Sequence, residues 1–462
     1  MPNRYYQLLR LFITLFFYSW SVNQLAYAEK TIDPNSEKMV IEFLVPWAGN
    51  PDRTEVALAN IEKYWQDSFA VMLLEVTNYT SDPVLTTRLL TLLKKKTQQD
   101  FGYDNHQWFA WIWQQKIPNH AYYATFKSHL YGLIDKRFSA YFKPEYSATI
   151  NLNEVLWGGV EQDGIPPLRQ PKMIQAENAT YLDDDNIVFG ITINNDARAY
   201  PQRILAWHEM FVDEVGGEPV VGVYCTLCGT VILYRTTVDD TNHEMGTSGF
   251  LYRSNKLMYD KATQSLWNTF WGKPVIGTLA DQTIELERLS VITTNWAEWK
   301  RRHPSSSVLS LNTGYRRDYS EGAAYKNYLS TDKLMFNIPK RDKRLKNKDE
   351  VLGLIFSRHP DQPLAISTDY LQEHSLYQGH IDKLNFVVLT DRSGANRVYE
   401  SKEVQFKRWD FDRSVTDQEG IRWTLSEAKL ESTKGRILHR LPAQRAFWFG
   451  WYSAYSHTKL VH

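Results

Sequence analysis

Two cysteines, Cys225 and Cys228, are the only thiols in this chain of 462 residues, and Gly229 follows directly after them. Apolar, β-branched and aromatic residues surround them over Val220–Tyr234, a composition typical of strands. The pattern predicts a strand, a tight turn that carries both thiols, and a second strand. Such a hairpin turns both sulfur atoms toward one point, as a metal ion or a disulfide requires.

A metal at this point would need further ligands, because a tetrahedral site has more than two and the chain has no second cysteine pair. We expect His208 to be the third ligand, since a helix over residues 203–212 would turn it toward the hairpin. Met258 or Asp260 could complete the shell. Thiolate, imidazole and thioether are soft ligands, so the predicted ion is copper or zinc.

Other interpretations of the same residues stay open. The cysteines could form a redox dithiol, although flanking strands offer no helix N-terminus to activate a thiolate. They could also form an inert disulfide, whose short loop gives little entropic stabilisation. His208 and Met258 could equally be core side chains, and His243, in a polar turn, is expected to be solvated.

The composition restricts the class of protein. Lys plus Arg and Asp plus Glu both number 53, and this zero formal charge argues against a nucleic-acid-binding protein. Residues 1–28 resemble a secretory signal peptide, with an apolar run at 11–22 and an Ala-x-Ala cleavage site ending at Ala28. We therefore expect a periplasmic or secreted protein with no integral membrane span after signal removal.

The remainder divides into two predicted domains. Residues 29–148 show helical periodicity, as in the segment that begins at Asp82-Pro83 and ends in three lysines at Lys96. Residues 149–462 contain short strand-like runs separated by Gly, Asn and Asp. The sequence predicts an α+β protein in which an all-helical domain, able to bind a protein partner, precedes a β-rich domain.

The β-rich domain has the features of two internal repeats, at about 187–311 and 350–461. Residues 208–225 align without gaps with 374–391, and the Trp-containing segment 295–299 aligns with 447–451. Cys225 then falls on Asp391, and Cys228 on Gly394. Because one half lacks thiols, we expect the cysteines to add a function to a scaffold that folds without them.

Several motifs in sequence order resemble the DUF3179 family, which has no established activity. They are Asp163-Gly164-Ile165-Pro166, Ala197-Arg198-Ala199-Tyr200-Pro201, Trp207-His208-Glu209, Tyr224-Cys225-Thr226-Leu227-Cys228-Gly229 and Leu257-Met258-Tyr259-Asp260. The resemblance covers about residues 156–460. The family hairpin reads Cys-Pro-Leu-Cys-Gly, and Thr226 replaces the proline here. The resemblance implies domain limits and leaves the chemistry open.

Two hypotheses of function follow. The first is an exported cell-envelope protein with a metal-binding or redox site at the two cysteines. An open coordination position would make such a site an enzyme, and a closed one a carrier or structural site. The alternative is a non-catalytic envelope binding module in which the cysteines are structural. There the aligned tryptophans Trp296, Trp299, Trp448 and Trp451 could line a partner surface, although core packing is the first expectation for them.

Overall fold

The structure, a computed structural model, describes residues 32–48, 50–356 and 359–462. The predicted signal peptide lies outside the described residues. Helices occupy the N-terminal part and strands predominate in the remainder, which confirms the predicted α+β fold. Within the described ranges, no helix has both the length and the apolar character needed to cross a membrane.

Six α-helices lie before residue 133 in the described chain, and three of them begin at a capping Asn or Asp side chain. The six helices are α1 (Glu37–Glu42), α2 (Pro51–Lys63), α3 (Phe69–Tyr79), α4 (Pro83–Thr97), α5 (Asn105–Gln115) and α6 (Tyr123–Gly132). Asp82 caps α4, because its carboxylate accepts a hydrogen bond from the N–H of Val84 at 2.9 Å. Pro83 occupies the first turn and lysines the last, so the prediction for this helix is confirmed.

Short strands and a few helices make up the rest of the described chain. The first part contains β1 (Ser147–Ala148), β2 (Val155–Trp157), β3 (Leu168–Arg169), β4 (Met173–Gln175), β5 (Ile187–Ile193), β6 (Asp196–Pro201), α7 (Gln202–His208), β7 (Met210–Val215), β8 (Glu218–Cys225), β9 (Thr230–Arg235), β10 (Thr237–Val238), β11 (Thr241–Asn242), β12 (Met245–Tyr252), β13 (Asn255–Asp260), β14 (Leu266–Asn268), β15 (Lys273–Gly277), β16 (Arg288–Leu289), β17 (Ile292–Asn295), α8 (Trp296–Arg302) and β18 (Ser307–Leu309).

The second part contains α9 (Lys326–Leu329), β19 (Glu350–Phe356), β20 (His359–Ser367), α10 (Thr368–Glu373), β21 (Leu376–Ile381), β22 (Leu384–Thr390), β23 (Asn396–Glu400), β24 (Phe406–Trp409), β25 (Ser414–Asp417), β26 (Arg422–Leu425), β27 (Lys429–Ser432), β28 (Ile437–Leu441), β29 (Gln444–Phe447), α11 (Trp448–Ala454) and β30 (Lys459–Val461).

The helices pack against an antiparallel sheet with the strand order β1-β15-β14-β13-β12-β2. Phe69 and Trp108 from the helices share one hydrophobic core with Phe250 of β12 and Leu257 of β13. Burial of apolar surface therefore holds the helical part and the β-rich part together across the boundary predicted at residue 148.

A buried ion pair adds a polar connection across the same boundary. Lys127 of α6 and Glu75 of α3 are both fully buried, with Nζ 2.9 Å from Oε1. Lys127 also donates to the carbonyl of Val155 in β2 at 2.7 Å, and the Tyr131 hydroxyl donates to Glu75 at 3.0 Å. These hydrogen bonds replace part of the hydration that the two charged groups lose when they are buried.

Two units of the β-rich part have the same strand order. In the first unit (residues 187–309) the sheets run β17-β5-β6-β18 and β16-β9-β8-β7. In the second unit (residues 350–461) they run β29-β19-β20-β30 and β28-β23-β22-β21. In both, the last strand of the first-named sheet is parallel to its neighbour, β18 to β6 and β30 to β20. This layout agrees with the internal repeat expected from the sequence.

A tryptophan lies on a glycine at the same place in both units. A Cβ added to Gly190 would lie 2.0 Å from the ring of Trp299, and one added to Gly353 would lie 2.2 Å from the ring of Trp451. Glycine is therefore needed at both positions, because any side chain would displace the indole that fills the core.

The units differ in what is inserted between two of their strands. In the first unit, β10 to β15 lie between β9 and β16, and β12 to β15 join the sheet that packs on the helices. In the second unit, the meander β24 to β27 lies between β23 and β28 and extends the same sheet. Only the first insertion places a strand, β13, beside the cysteines.

Candidate functional site

Strands β8 and β9 form the predicted hairpin around the cysteines. Cys225 is paired with Thr230 in the antiparallel ladder, and residues 225–230 form what we call the cysteine turn. The N–H of Cys228 donates to the carbonyl of Cys225 at 3.0 Å, and Gly229 takes a positive φ of 57°. Cys225 and Cys228 form a disulfide, with their Cα atoms 5.3 Å apart. The turn thus brings the two sulfurs together as the spacing predicts.

The second unit supplies one wall of the cysteine turn. The N–H of Phe447, the last residue of β29, donates to the carbonyl of Cys228 at 2.7 Å. A Cβ on Gly450 would lie 3.0 Å from the Cβ of Cys228, and one on Gly229 would lie 2.7 Å from the Phe447 ring. The two glycines therefore allow α11 to approach the disulfide closely.

Residues 310–349, which we call the cover segment, supply a second wall. The hydroxyl of Tyr328 in α9 donates to the carbonyl of Leu227 at 2.8 Å, and Ser254 donates to the carbonyl of Asn337 at 3.0 Å. Cys225 is only 2 % exposed and Cys228 is 0 % exposed. The disulfide is therefore shielded from solvent beneath these contacts and those of the second unit.

The sulfur of Cys228 faces oxygen atoms at the tip of the β12–β13 hairpin. Its Sγ lies 3.1 Å from Oδ1 of Asn255 and 3.7 Å from the carbonyl oxygen of Ser254. The Asn255 amide is oriented by its own Nδ2, which donates to the carbonyl of Gly450 at 3.1 Å. Arg253 and Ser254 form the tight turn of this hairpin, with positive φ values of 50° and 65°.

A buried ion pair lies next along β13. Lys256 pairs with Glu209, and both side chains are buried. The hydroxyl of Tyr325, from the cover segment, donates to Glu209 at 2.9 Å. Burial lowers the pKa of Lys256, and the charge of Glu209 opposes this shift. The carbonyl of Glu209 accepts from the N–H of Tyr224, so this pair is anchored one residue before Cys225.

His208 lies at the end of α7 and is buried, but its ring nitrogens have partners other than the cysteines. Nδ1 is 2.9 Å from the carbonyl oxygen of Pro166, and Nε2 is 2.6 Å from the hydroxyl of Tyr319. Burial lowers the pKa of His208, and the hydrogen bond with Pro166 opposes this shift. The predicted helix ends at His208 rather than at residue 212, and this end directs the imidazole toward the cover segment.

The other two predicted ligands lie on β13. Met258 is fully buried in the same apolar cluster as the cysteines. Asp260 accepts a hydrogen bond from Nδ1 of His243 at 2.6 Å and, through its other oxygen, from the N–H of Ala262 at 2.8 Å. His243 is buried against Trp267, which corrects the expectation that it is solvated. Its partner Asp260 is 17 residues away in the sequence, so no local sequence pattern predicted this contact.

The metal shell of Cys225, Cys228, His208, Met258 and Asp260 therefore stays a prediction. Among the described residues, no group of three or more His, Cys, Asp or Glu side chains is placed to hold a metal ion. The structure instead brings together the two sulfurs and the oxygens of Asn255 and Ser254. No sequence pattern predicted that these two oxygens would lie beside the cysteines.

The second unit has a turn at the matching place, residues 391–395, which we call the aspartate turn. Three residues separate Asp391 from Ala395, whereas four separate Cys225 from Thr230. Gly394 has a positive φ of 83°, so it corresponds to Gly229. This shorter turn corrects the gapless alignment that placed Cys228 on Gly394.

A carboxylate holds the aspartate turn where the disulfide holds the cysteine turn. Oδ1 of Asp391 accepts from the N–H groups of Ser393 at 2.9 Å and Ala395 at 3.1 Å. Oδ2 accepts from Arg397 at 2.7 Å, and both of these side chains are buried. Ser393 also contacts the hydroxyl of Thr294 in the first unit at 3.0 Å. Each turn therefore packs on the strand end of the opposite unit.

The charges around the aspartate turn form a connected network. Arg397 lies 2.8 Å from Glu427, and Arg440 lies 3.3 Å from the other oxygen of Glu427. Burial raises the pKa of Glu427, but the charges of Arg397 and Arg440 outweigh this effect. The pKa therefore lies well below the ordinary value of 4.5. A network with both signs paired is typical of a structural role.

The aligned tryptophans do not form a binding surface. Trp296, Trp299, Trp448 and Trp451 are all buried, with exposed fractions of 2 % or less. Core packing, the first expectation from the sequence, is confirmed for all four of them.

Comparison with known proteins identifies one family. The sequence model of a family described as "Protein of unknown function (DUF3179)" matches residues 162–458. This range contains both units and both turns, and it leaves out the helices α1 to α6. No curated protein and no solved structure matches the chain.

Proposed function

The chain belongs to the DUF3179 family, and on this premise we propose that it is an exported thiol–disulfide protein in which Cys225 and Cys228 alternate between disulfide and dithiol. The observation that carries the proposal is the contrast between the two turns. The aspartate turn is held by hydrogen bonds of Asp391, so this hairpin closes in the second unit without a disulfide. A disulfide used only to close the hairpin would duplicate what a carboxylate achieves.

The proposed reaction transfers two electrons and two protons. A thiolate of a partner dithiol attacks one sulfur of the Cys225–Cys228 bond, forms a mixed disulfide and releases the other cysteine as a thiolate that takes up a proton. The second thiol of the partner loses its proton and attacks the mixed disulfide. This step releases the remaining cysteine and leaves the partner as a disulfide. The reverse sequence oxidises the pair.

Access to the sulfurs requires movement of the cover segment. Tyr328 is joined to the cysteine turn by one hydrogen bond, and Asn337 is joined to the β12–β13 hairpin by another. The cover segment spans 40 residues, and within it the one α-helix, α9, has four residues. Long connections with little regular structure are often functional. We propose that the partner gains access by displacing this segment from the turn.

The proposal includes export and duplication. Residues 1–28 predict a signal peptide, and the oxidising compartments that exported proteins enter allow disulfides to persist. The shared strand order of the two units supports an origin by duplication, after which one turn acquired the thiols.

A redox titration tests the proposed function. The chain without residues 1–28 is equilibrated in buffers of graded reduced-to-oxidised glutathione ratio, alkylated, and weighed by mass spectrometry. We expect both thiols to appear together, with a two-electron midpoint within the range of the buffers. The Cys225→Ala/Cys228→Ala variant, which has no thiols, should show no mass change. A disulfide that survives every ratio in the folded protein would contradict the proposal.

The near-complete burial of both cysteines favours a second candidate function, a binding module with a structural disulfide. The same titration separates the two, because a structural disulfide resists the glutathione pool. Copper or zinc at the two sulfurs is the remaining part of the sequence prediction. Metal analysis of the reduced protein beside the double alanine variant tests it, and equal metal content would rule it out.

A further inference from the structure

We propose that Asn255 is a positioning residue that holds Cys228 as a protonated thiol and thereby shifts the Cys225–Cys228 pair toward the dithiol. This inference rests on the proposed function, since it concerns the equilibrium of the same pair. The observation behind it is the 3.1 Å distance between the Cys228 sulfur and Oδ1 of Asn255.

The orientation of the Asn255 amide is determined by its surroundings. Nδ2 donates to the carbonyl of Gly450 at 3.1 Å, which only the nitrogen end of the amide can do. A flipped amide would place two oxygens against each other. The carbonyl end of Asn255 therefore faces the sulfur, and the amide cannot donate to it.

The two oxygen atoms that lie within hydrogen-bonding distance of the Cys228 sulfur are both acceptors. Oδ1 of Asn255 and, at 3.7 Å, the carbonyl oxygen of Ser254 both lack a proton to give. A disulfide sulfur has no hydrogen, so neither oxygen gains a hydrogen bond in the oxidised state. A thiol can donate, and a thiolate would be repelled. Both oxygens therefore stabilise the protonated, reduced form of Cys228 relative to the disulfide.

The first unit alone has the element that supplies these acceptors. Ser254 and Asn255 lie at the β12–β13 turn, inside the insertion that follows β9. The corresponding insertion of the second unit is the meander β24 to β27, which extends its own sheet. Asp391 has four donor groups around it, the reverse of the surroundings of Cys228. Hydrogen-bond acceptors thus lie beside Cys228 in one turn, and hydrogen-bond donors surround Asp391 in the other.

The midpoint potential of Asn255→Ala tests this inference. Loss of one hydrogen bond to the thiol should shift the dithiol–disulfide equilibrium about tenfold toward the disulfide. For a two-electron couple this lowers the potential by about 30 mV. Asn268→Ala is the matched control. Asn268 is a buried asparagine on the neighbouring strand β14, and its Oδ1 accepts from the N–H of Phe270 at 2.9 Å.

Both alanine variants should lower the melting temperature of the oxidised protein, because each removes buried hydrogen bonds. Only Asn255→Ala should change the midpoint potential. An unchanged potential in a folded Asn255→Ala variant overturns the role of Asn255 and leaves the proposed function intact. A pair that never titrates in wild type defeats the proposed function instead.

A spectroscopic measurement covers the case in which Asn255→Ala does not fold. The Cys225→Ala variant retains one thiol, that of Cys228, whose S–H stretch lies in a clear region of the infrared spectrum. We expect this band at lower frequency in the folded protein than in the urea-unfolded protein, because the thiol donates to Asn255. Equal frequencies in the two states would contradict the inference.

Discussion

The cysteine turn and the aspartate turn occupy the same place in two units of the same layout, and they are closed by different means. The first is closed by a covalent bond among apolar neighbours, beneath the cover segment. The second is closed by the carboxylate of Asp391, whose charge is balanced by Arg397 and by the network around Glu427. The hairpin is thus compatible with both solutions, and the proposed function rests on the difference between them.

The largest effect is expected from breaking the aspartate turn. Asp391→Ala removes the acceptor for Ser393 and Ala395 and leaves the buried Arg397 with one carboxylate partner fewer. We expect a loss of about 3–5 kcal/mol in the free energy of unfolding, measured by urea denaturation. The Asp412 side chain is 43 % exposed in its ion pair with Arg301. Asp412→Ala should therefore lower the free energy of unfolding by less than about 1 kcal/mol. Similar losses in the two variants would show that Asp391 is not the closing element.

The second expected effect is a loss of stability in acid that arises in the second unit. The unfolded Glu427 takes up a proton near its ordinary pKa of 4.5, whereas the folded carboxyl keeps its charge to lower pH. The stabilisation is therefore complete above about pH 4.5 and declines as the pH falls toward the lowered pKa. Glu427→Gln should flatten this part of the stability profile in urea unfolding at stepped pH. A wild-type profile that is already flat between pH 5 and 3 would contradict the network.

The third comparison removes the disulfide. The Cys225→Ala/Cys228→Ala variant should stay folded and lose only about 2 kcal/mol, because so short a loop restricts the unfolded chain little. Urea unfolding of this variant beside Asp391→Ala ranks the two closures directly. A double variant that unfolds at 25 °C would mean that the disulfide is essential to the fold, and the contrast between the turns would lose its functional meaning.

The smallest expected effect concerns access to the disulfide. Tyr328→Phe removes the hydrogen bond to the carbonyl of Leu227 while the ring remains. If opening of the cover segment limits reduction, the rate of reduction by dithiothreitol should rise about fivefold. Tyr315→Phe alters an exposed tyrosine of the same segment and should leave the rate unchanged. Equal rates in Tyr328→Phe and wild type would locate the barrier elsewhere.

Local sequence patterns predicted the helices and hairpins that depend on interactions between residues close in the sequence. The cap at Asp82 fixed the start of α4, and the Cys-x-x-Cys spacing between β-branched runs predicted the hairpin of β8 and β9. The matched tryptophans pointed to two units with related cores. In each case the deciding interaction joins residues that are close in sequence or repeated at a constant offset.

The rest depends on contacts between distant segments. Asn255 reaches Cys228 only because the first insertion folds back on the turn, and Tyr328 arrives from a segment with little regular structure. His208 was predicted to face the cysteines, but the end of α7 directs it to Pro166 and Tyr319. Amide and hydroxyl side chains are common in every loop, so their residue type alone did not indicate these roles.

The reciprocal packing of the turns has a consequence for symmetry. Phe447 of the second unit bonds to Cys228 of the first, and Thr294 of the first unit contacts Ser393 of the second. A polypeptide with one unit alone would leave its turn uncovered, and two copies around a twofold axis could cover each other. In such a homodimer every substitution would occur twice. Joining both units in one chain removes that constraint, so that one turn can carry sulfur while the other carries charge.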